Sequence, residues 1–470
     1  MMWKFDRFAS NIAIIEEHGL RLTYGELNAE GHALYTTTGG RCLVLQLCGN
    51  NLGSFLGYAG FLENGVVPAM LDSDMSREAL ESIYQAYQPK FLWVPEEYTH
   101  EGCFPIYSRF GYQLLQAPFG DTAQLHPDLA LLLTTSGSTG SPKFVRQSYR
   151  NIRANTDSIV TYLSLSDKER PITTLPMSYT YGLSIINTHL DVGAAILLTN
   201  KSMAQKEFWT FFCREHATSF GGVPYTYEML DRMRFTYMAL PSLITMTQAG
   251  GKLLPALHEK LACWCAETGR QFIVMYGQCE ATARMAYLPW EKSIEKSGSM
   301  GIAIPGGRFE LIGAEGETIT EPFVTGELRY YGDNVTMGYA ESAADLSLGD
   351  ERYGILDTGD MAQMDVEGYF TIVGRKKRFL KIFGNRINLD EAERLIKAAF
   401  PGTECACGGI DDQLYLFSED GARLPAMKAF LSERTGIHSS AFRTHALSTL
   451  PKNAAGKTLY KELEPYYERC

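Results

Sequence analysis

The chain has 470 residues, of which 45% are hydrophobic and 21% are charged. This composition is typical of a globular protein, and the length predicts two or more domains. The net charge of -11 argues against a nucleic-acid partner or an anionic membrane surface. The sequence contains no apolar run of about 18 residues and no signal-peptide core at the N-terminus, so we expect a cytoplasmic protein without a membrane span.

The first 300 residues alternate short apolar runs with amphipathic stretches. RCLVLQLCGN (41–50), VVPAMLD (66–72), KFLWVPEE (90–97) and DLALLLTTSG (128–137) are predicted as strands. LGSFLGYAGFLENG (52–65) is predicted as a helix that ends at Gly65. Alternation of this kind favours α/β layers with a mostly parallel sheet.

The pattern changes after about residue 300. GRFELIG (307–313), TGELRYYG (325–332) and GYFTIVGRKKR (368–378) predict antiparallel strands or a small barrel. LDEAERLIKAAF (389–400) has helical spacing. We therefore predict a large N-terminal domain of layered α/β subdomains with a barrel-like piece (1–375), followed by a small, mobile α+β domain (376–470).

The residue types in one loop indicate a chemical function. TTSGSTGSPK (134–143) follows a strand-like run and exposes hydroxyl and backbone N–H groups, which hold phosphates. A P-loop NTPase is one alternative, because AGKT (455–458) looks like the end of a Walker A motif. The glycine which that motif requires is replaced by Pro451, so this alternative is the weaker one.

Six separated motifs occur in one order along the chain, and together they are far more specific than any one of them. In that order they resemble those of the AMP-forming adenylating enzymes: acyl-CoA synthetases, adenylation domains of nonribosomal peptide synthesis, and luciferases. The six are TTSGSTGSPK (134–143), YGQCEAT (276–282), TGELRYYGDNVTMGY (325–339), DTGD (357–360), GYFTIVGRKKRFLKIFGNRINLDEAE (368–393) and LPKNAAGK (450–457).

The resemblance implies an ATP-binding surface. The residues expected to wrap the phosphates are Thr135, Ser136, Gly137, Ser138, Thr139 and Gly140, with Lys143 as either a phosphate contact or a structural anchor. The residues expected to contact the rest of the nucleotide are Gly250, Gly251, Tyr276, Gly277, Asp360 and Arg375. Among them, Tyr276 would stack on adenine, and Asp360 would accept hydrogen bonds from the ribose hydroxyls.

Glu280 and Cys279 lie where the resemblance implies catalytic groups. Glu280 would hold Mg²⁺, which prefers carboxylate ligands. The family usually has threonine where this chain has Cys279, and a thiol is a weak hydrogen-bond donor. Loss of one hydrogen bond to a charged group costs roughly 1.5–3 kcal/mol. A nucleotide-binding homologue with weak or no catalysis is therefore an alternative.

Lys457 is expected to be the essential lysine of acyl-adenylate formation. A cation between the carboxylate and the α-phosphate would offset their repulsion as the bond forms. The C-terminal domain would deliver Lys457 and then rotate about Lys377 to admit the thiol. That thiol belongs to CoA or to the phosphopantetheine of a carrier protein acting in trans.

The acid pocket is also assigned by family position. The residues expected to line it are Tyr179, Thr180, Tyr181, Ser184, Gly222, Gln248, Met275, Ala283 and Arg284. Amino-acid-activating members have an aspartate where Thr180 aligns, so an acyl or aryl acid without an amino group is favoured over an amino acid. Arg284 could receive a second carboxylate, but we expect it to pair internally. His189 is expected to be a satisfied core residue.

Overall fold

The computed structural model describes residues 2–120, 123–134, 143–376, 378–382, 385–453 and 456–467. Its α-helices, in chain order, are α1 (Tyr24–Thr38), α2 (Leu52–Glu63), α3 (Arg77–Tyr87), α4 (Tyr149–Leu163), α5 (Thr180–Asp191), α6 (Lys206–Arg214), α7 (Pro224–Arg232), α8 (Pro255–Glu267), α9 (Leu389–Ala399) and α10 (Leu424–Thr435). Local sequence sets where several of them begin. Thr23 and Ser148 close capping boxes at the starts of α1 and α4, and α7 and α8 have proline in the first turn.

The strands are short, and most belong to three large sheets. In chain order they are β1 (Ile12–Glu16), β2 (Arg21–Thr23), β3 (Leu43–Cys48), β4 (Val67–Asp72), β5 (Phe91–Pro95), β6 (Phe104–Arg109), β7 (Tyr112–Gln116), β8 (Leu129–Thr134), β9 (Phe144–Ser148), β10 (Ile196–Leu198), β11 (Ser219–Gly222), β12 (Thr245–Gln248), β13 (Gln271–Tyr276), β14 (Ala286–Tyr287), β15 (Ile302–Ala303), β16 (Arg308–Ile312), β17 (Thr318–Ile319), β18 (Gly326–Tyr331), β19 (Gly338–Ala340), β20 (Ile355–Met364), β21 (Phe370–Arg375), β22 (Phe379–Ile382), β23 (Asn385–Asn388), β24 (Cys405–Ile410), β25 (Gln413–Ser418) and β26 (Phe442–Ala446).

The first large sheet has the strand order β19-β9-β8-β4-β3-β5-β7-β6. Its four central strands, β8, β4, β3 and β5, run parallel, and they are the apolar runs that the sequence predicts as strands. The edge strands pair antiparallel, so the sheet is mixed. The predicted parallel character therefore holds for the buried centre, where strands are covered on both faces.

The second sheet carries several residues of the predicted acid pocket. Its order is β11-β12-β13-β14-β15, with the first three strands parallel. The carboxyl ends of β11, β12 and β13 lie side by side, and they end at Gly222, Gln248 and Tyr276. Ligands of α/β proteins commonly bind at this edge of a sheet.

The third sheet, β17-β16-β18-β20-β21, is antiparallel throughout, as predicted for the region after residue 300. Beyond it, β24-β25-β26 forms a small sheet with α9 and α10 around a hydrophobic core that runs from Leu380 to Phe442. The predicted α/β fold with a small α+β unit is confirmed, whereas the boundary after Arg375 stays a prediction. Within the described residues, no helix has the length and apolar character needed to cross a membrane.

Candidate active site

A buried carboxylate organises the predicted ribose site. Tyr276 Oη donates to Asp360 Oδ2 at 2.5 Å, and Gln278 Nε2 donates to the same oxygen at 2.9 Å. Arg375 Nε lies 3.4 Å from Asp360 Oδ1. Asp360 and Arg375 are register partners across β20 and β21, so the sheet itself brings the two charges together.

Asp360 is 5% exposed, and the pKa of its carboxyl is raised. Burial raises the pKa of the Asp360 carboxyl, and Arg375 together with the bonds from Tyr276 and Gln278 acts in the opposite direction. The carboxylate is thus fixed in orientation at the place where the resemblance implies ribose. The sequence reasoning did not identify Gln278, although it lies inside the YGQCEAT motif.

Glu280 is held by a tyrosine from a distant part of the chain. Tyr339 Oη donates to Glu280 Oε1 at 2.8 Å. Lys143 Nζ lies 3.7 Å from the centre of the Tyr339 ring and 3.7 Å from Glu341 Oε1. Of the two roles considered for Lys143, its observed contacts are those of a structural anchor.

The donor set around Glu280 fits Mg²⁺. Glu280 Oε2 makes no hydrogen bond to a described residue. The described ranges contain no cluster of three His, Cys, Asp or Glu side chains that could hold a metal. A nucleotide-bound Mg²⁺ usually takes one or two carboxylate ligands from the protein. Phosphate oxygens and water complete its coordination.

Cys279 lies beside the predicted phosphate loop. Its Sγ is 4.0 Å from the carbonyl oxygen of Thr134, the last described residue before that loop. Burial raises the pKa of the thiol well above its usual value, and the neighbouring Glu280 carboxylate adds to this. Thr180, the first residue of α5, also interacts with the thiol. Cys279 therefore stays a neutral thiol, which can offer a phosphate only a weak hydrogen bond.

Lys457 reaches this site from the C-terminal unit. Its Nζ lies 5.6 Å from the centre of the Tyr179 ring. Burial lowers the pKa of the ammonium and Arg375 adds to this, whereas Cys279, Glu280 and Asp360 oppose it. The loop is fixed by two bonds with Asn453, whose Oδ1 accepts from the Lys457 N–H at 2.9 Å and whose N–H donates to the Lys457 carbonyl at 2.9 Å.

Aromatic side chains form the wall of the predicted acid pocket. The Tyr179 and Tyr181 rings have centroids 6.3 Å apart, and Tyr181 Oη is 2.7 Å from Thr247 Oγ1. A Cβ at Gly250, where φ is +85°, would lie 2.6 Å from Tyr179 Oη, so this wall requires glycine there. Other predicted lining residues lie at the same sheet edge: Gly222, Gln248 and Met275.

A strained turn links the nucleotide site to the acid pocket. Thr282 and Ala283 have φ of 54° and 102°, which are rare for residues with a side chain. A Cβ at Gly277 would lie 1.6 Å from the Ala283 carbonyl oxygen. Asn334 Nδ2 donates to the carbonyls of Ala281 and Arg284 at 2.8 and 3.1 Å, which stabilises the turn.

Arg284, the last residue of this turn, points into the protein and is 2% exposed. Its Nε donates to Ser184 Oγ at 3.1 Å, and one terminal nitrogen lies 3.1 Å from Tyr162 Oη and 3.2 Å from Met275 Sδ. The guanidinium lies 5.3 Å from the centre of the Tyr181 ring. Arg284 thus forms the expected internal contacts, but each of these three partners is uncharged.

His189 makes fewer hydrogen bonds than expected for a core residue. Its Nδ1 lies 2.7 Å from the Ile185 carbonyl oxygen, while its buried Nε2 contacts no polar atom of a described residue. Burial lowers the pKa of the imidazole to about 4, and the charge of Arg284 contributes. His189 is therefore neutral at physiological pH.

The structure brings many of the described residues of the predicted site close together. Tyr276, Asp360 and Arg375 meet at one end of the site, with Cys279, Glu280, Lys457 and Tyr179 next to them. Residues 135–140 and Lys377 lie outside the described residues. The supporting residues Asn334 and Tyr339 were not predicted, because each acts through contacts with residues far away in sequence.

Comparison with known proteins places the chain in a family. The AMP-binding enzyme profile matches residues 3–340. The chain belongs to the AMP-binding enzyme family. Indoleacetate–CoA ligase of Aromatoleum aromaticum is 32% identical over 366 residues, covering 74% of this chain and 70% of that protein. Oxalate–CoA ligase of Arabidopsis thaliana is 28% identical over 347 residues, covering 71% of this chain and 66% of that protein.

Solved structures of adenylating enzymes share the fold. The o-succinylbenzoate CoA synthetase of Bacillus subtilis, in complex with its acyl-adenylate intermediate, superposes with a TM-score of 0.79 at 22% identity. The match covers 97% of this chain and 95% of that one. These matches confirm the predicted family resemblance and fold. Both agree with the predicted activity of an AMP-forming ligase.

Proposed function

We propose that this protein is an ATP-dependent ligase that activates a carboxylic acid as an acyl-adenylate and transfers the acyl group to CoA. The observation that carries the proposal is the position of Lys457. The C-terminal unit inserts this cation among Tyr179, Cys279, Glu280 and Asp360. A partly buried ammonium between a pocket for an acid and a site for a nucleotide suits the joining of two anions.

In the first step, a carboxylate oxygen of the acid attacks the α-phosphorus of ATP. The new oxygen–phosphorus bond forms as the bond to the bridging oxygen breaks, and pyrophosphate leaves with that electron pair. Lys457 offsets the negative charge that accumulates on the two reactants, and Tyr276, Asp360 and Arg375 orient the nucleoside. Glu280 would hold Mg²⁺, which neutralises phosphate charge when bound.

In the second step, the sulfur of CoA attacks the acyl carbon and the bond to AMP breaks. The thiol proton passes to solvent, and AMP leaves as the phosphate anion. Rotation of the C-terminal unit about Lys377 would withdraw Lys457 and admit the thiol. The CoA-ligase relatives support CoA as acceptor, while a carrier-bound phosphopantetheine presents the same thiol arm.

The acid pocket favours a substrate without an α-ammonium group. Asp191 is the acidic residue of α5, and it lies at the far end of the helix, where it pairs with Arg153 at 2.5 Å. The hydrophobic cluster that contains Tyr179 and Tyr181 also includes Leu175, Val223, Ala249, Ile273 and Met275. An ammonium buried there would lack a counter-charge, which is costly. An amino-acid-activating enzyme is therefore the less favoured ligase.

The test is pyrophosphate release from ATP and Mg²⁺ with a panel of carboxylic acids and amino acids, with hydroxylamine present to trap any acyl-adenylate. We expect release that depends on one class of acid, and a matching hydroxamate. The same reactions with CoA in place of hydroxylamine should yield the thioester. Release without any acid, or no release with any acid, would contradict the ligase.

A nucleotide-binding homologue without catalysis is the second candidate, and Cys279 is the observation that favours it. ATP binding that persists while pyrophosphate release is absent across the panel would support it. The P-loop NTPase alternative finds no support, because the family match and the fold are those of adenylating enzymes.

A further inference from the structure

Arg284 is a buried cation without a counter-charge among the described residues. Its acceptors are the hydroxyls of Ser184 and Tyr162 and the thioether of Met275. The other terminal nitrogen of the guanidinium makes no hydrogen bond to a described residue. A buried arginine normally pairs with a carboxylate or phosphate, because an unpaired buried charge is costly.

The nearby carboxylates that could have paired with Arg284 interact with other residues. Asp191 on α5 pairs with Arg153, and Glu280, four residues before Arg284, accepts from Tyr339. Met275 is the weakest of the three acceptors, and its flexible side chain can move aside at little cost. A ligand could therefore displace Met275 and bind the guanidinium on that side.

Lys457 and Arg284 each lie beside one ring of the Tyr179–Tyr181 pair. Lys457 Nζ is 5.6 Å from the Tyr179 ring, the Tyr179 and Tyr181 rings are 6.3 Å apart, and the Tyr181 ring is 5.3 Å from the Arg284 guanidinium carbon. Two cations separated by two aromatic rings match a ligand with an anion at each end and an apolar or aromatic body.

A second polar atom near Arg284 lacks a partner. His189 is 4% exposed, and its Nε2 contacts no polar atom of a described residue. The charge of Arg284 is one cause of the lowered pKa of His189, so the two side chains are close enough to interact. An unpaired atom of this kind is unusual, since buried polar atoms are nearly always paired.

We propose that the acid substrate carries a second carboxylate at the end remote from the reacting one, and that Arg284 is the specificity-determining residue that receives it. This inference rests on the proposed ligase function. The reacting carboxylate would lie at Lys457, the apolar body along Tyr179 and Tyr181, and the second carboxylate at Arg284. The substrate class is a dicarboxylic acid with an apolar or aromatic spacer.

The test compares matched acids on one spacer: a monocarboxylic acid, the corresponding dicarboxylic acid, and the dicarboxylic acid with its remote group converted to an amide. Hydroxylamine-trapped pyrophosphate release gives kcat/KM for each acid with the wild type, Arg284→Gln and Arg284→Lys. Arg153→Gln serves as the control, because this arginine also contacts α5 but lies at the far end of the helix. Thermal unfolding of each variant reports on folding.

We expect the wild type to favour the diacid over the monoacid and the amide. Arg284→Gln should lower the ratio of kcat/KM for the diacid to kcat/KM for the monoacid about 100-fold. Arg284→Lys should recover part of the preference, and Arg153→Gln should leave it unchanged. Equal loss for all three acids in Arg284→Gln, or no diacid preference in the wild type, would overturn the inference while leaving the ligase intact. No release with any acid would overturn the ligase and this inference together.

Discussion

At the scale of single residues, Cys279 is the departure that bears most directly on rate. A neutral, partly buried thiol lies beside the start of the predicted phosphate loop, where the motif resemblance implies threonine. The sequence alone identified this substitution, because it lies within a short motif. Sequence could not show that Glu280 and burial keep the thiol protonated, since that depends on the folded environment.

Restoring the hydroxyl should accelerate the first step. We expect Cys279→Thr to raise kcat/KM for acyl-adenylate formation about 10-fold, because a hydroxyl donates a stronger hydrogen bond to a phosphate. Rapid-quench measurement of pyrophosphate release checks this, with Cys279→Ala as the control that removes the donor without replacing it. An unchanged or lower rate in Cys279→Thr would show that this side chain does not contact a phosphate.

The environment of Lys457 predicts a pH dependence. Its pKa is lowered by burial and by Arg375, so the ammonium of the free enzyme loses its proton at a lower pH than an ordinary lysine. The charged form drives adenylate formation, so kcat/KM should fall as pH rises through a value below 10.5. The pH profile of kcat/KM tests this, and Lys457→Arg, which stays charged, should lack the alkaline decline in whatever activity remains. A wild-type profile flat to pH 10.5 would contradict the account.

At the scale of elements, the turn between Tyr276 and Arg284 determines how the nucleotide and acid sites are joined. Sequence periodicity predicted the buried strands β3, β4, β5 and β8, since apolar runs reflect burial directly. It could not predict this turn, because two consecutive residues with positive φ are stabilised by Asn334 from elsewhere in the chain. The same applies to Tyr339, which lies 59 residues from Glu280.

A methyl group in this turn should be poorly tolerated. We expect Gly277→Ala to lower the free energy of unfolding by ~3 kcal/mol, because its Cβ would overlap the Ala283 carbonyl. Displacement of Tyr276 and Glu280 should also weaken ATP binding. Chemical denaturation and ATP titration measure both effects.

At Gly349 an added Cβ meets only a His126 side-chain atom at 3.5 Å, so Gly349→Ala is the matched control and should change stability by less than about 0.5 kcal/mol. Equal effects of the two substitutions would contradict this interpretation.

At the scale of the whole molecule, the C-terminal unit contacts the large domain through residues on and near Lys457. Lys452, five residues before Lys457, lies 2.9 Å from Glu404 Oε2 and 5.1 Å from the centre of the Tyr225 ring on α7. The motif resemblance predicted that Lys457 reaches the site, but no sequence pattern indicates which surface of the large domain receives the C-terminal unit. That surface depends on side chains brought together by folding.

Weakening this docking contact should affect the two half-reactions differently. We expect Tyr225→Ala to slow acyl-adenylate formation about 3-fold, since a partly exposed cation–π contact contributes ~0.5–1 kcal/mol. Thioester formation from a supplied acyl-adenylate should be unchanged or faster. Tyr237→Ala is the control, because this tyrosine is 87% exposed. A uniform loss in both half-reactions would indicate a general structural effect instead.

The central claim is that Lys457 serves acyl-adenylate formation and not thioester formation. The most direct measurement supplies Lys457→Ala with synthetic acyl-adenylate and CoA, and separately with ATP, the acid and CoA, and follows the thioester in both. We predict a rate within about 3-fold of the wild type from the adenylate, and a loss of 100-fold or more from ATP, on the order of what one electrostatic contact to a transition state contributes. Equal loss from both starting points, or no loss from either, would contradict the account.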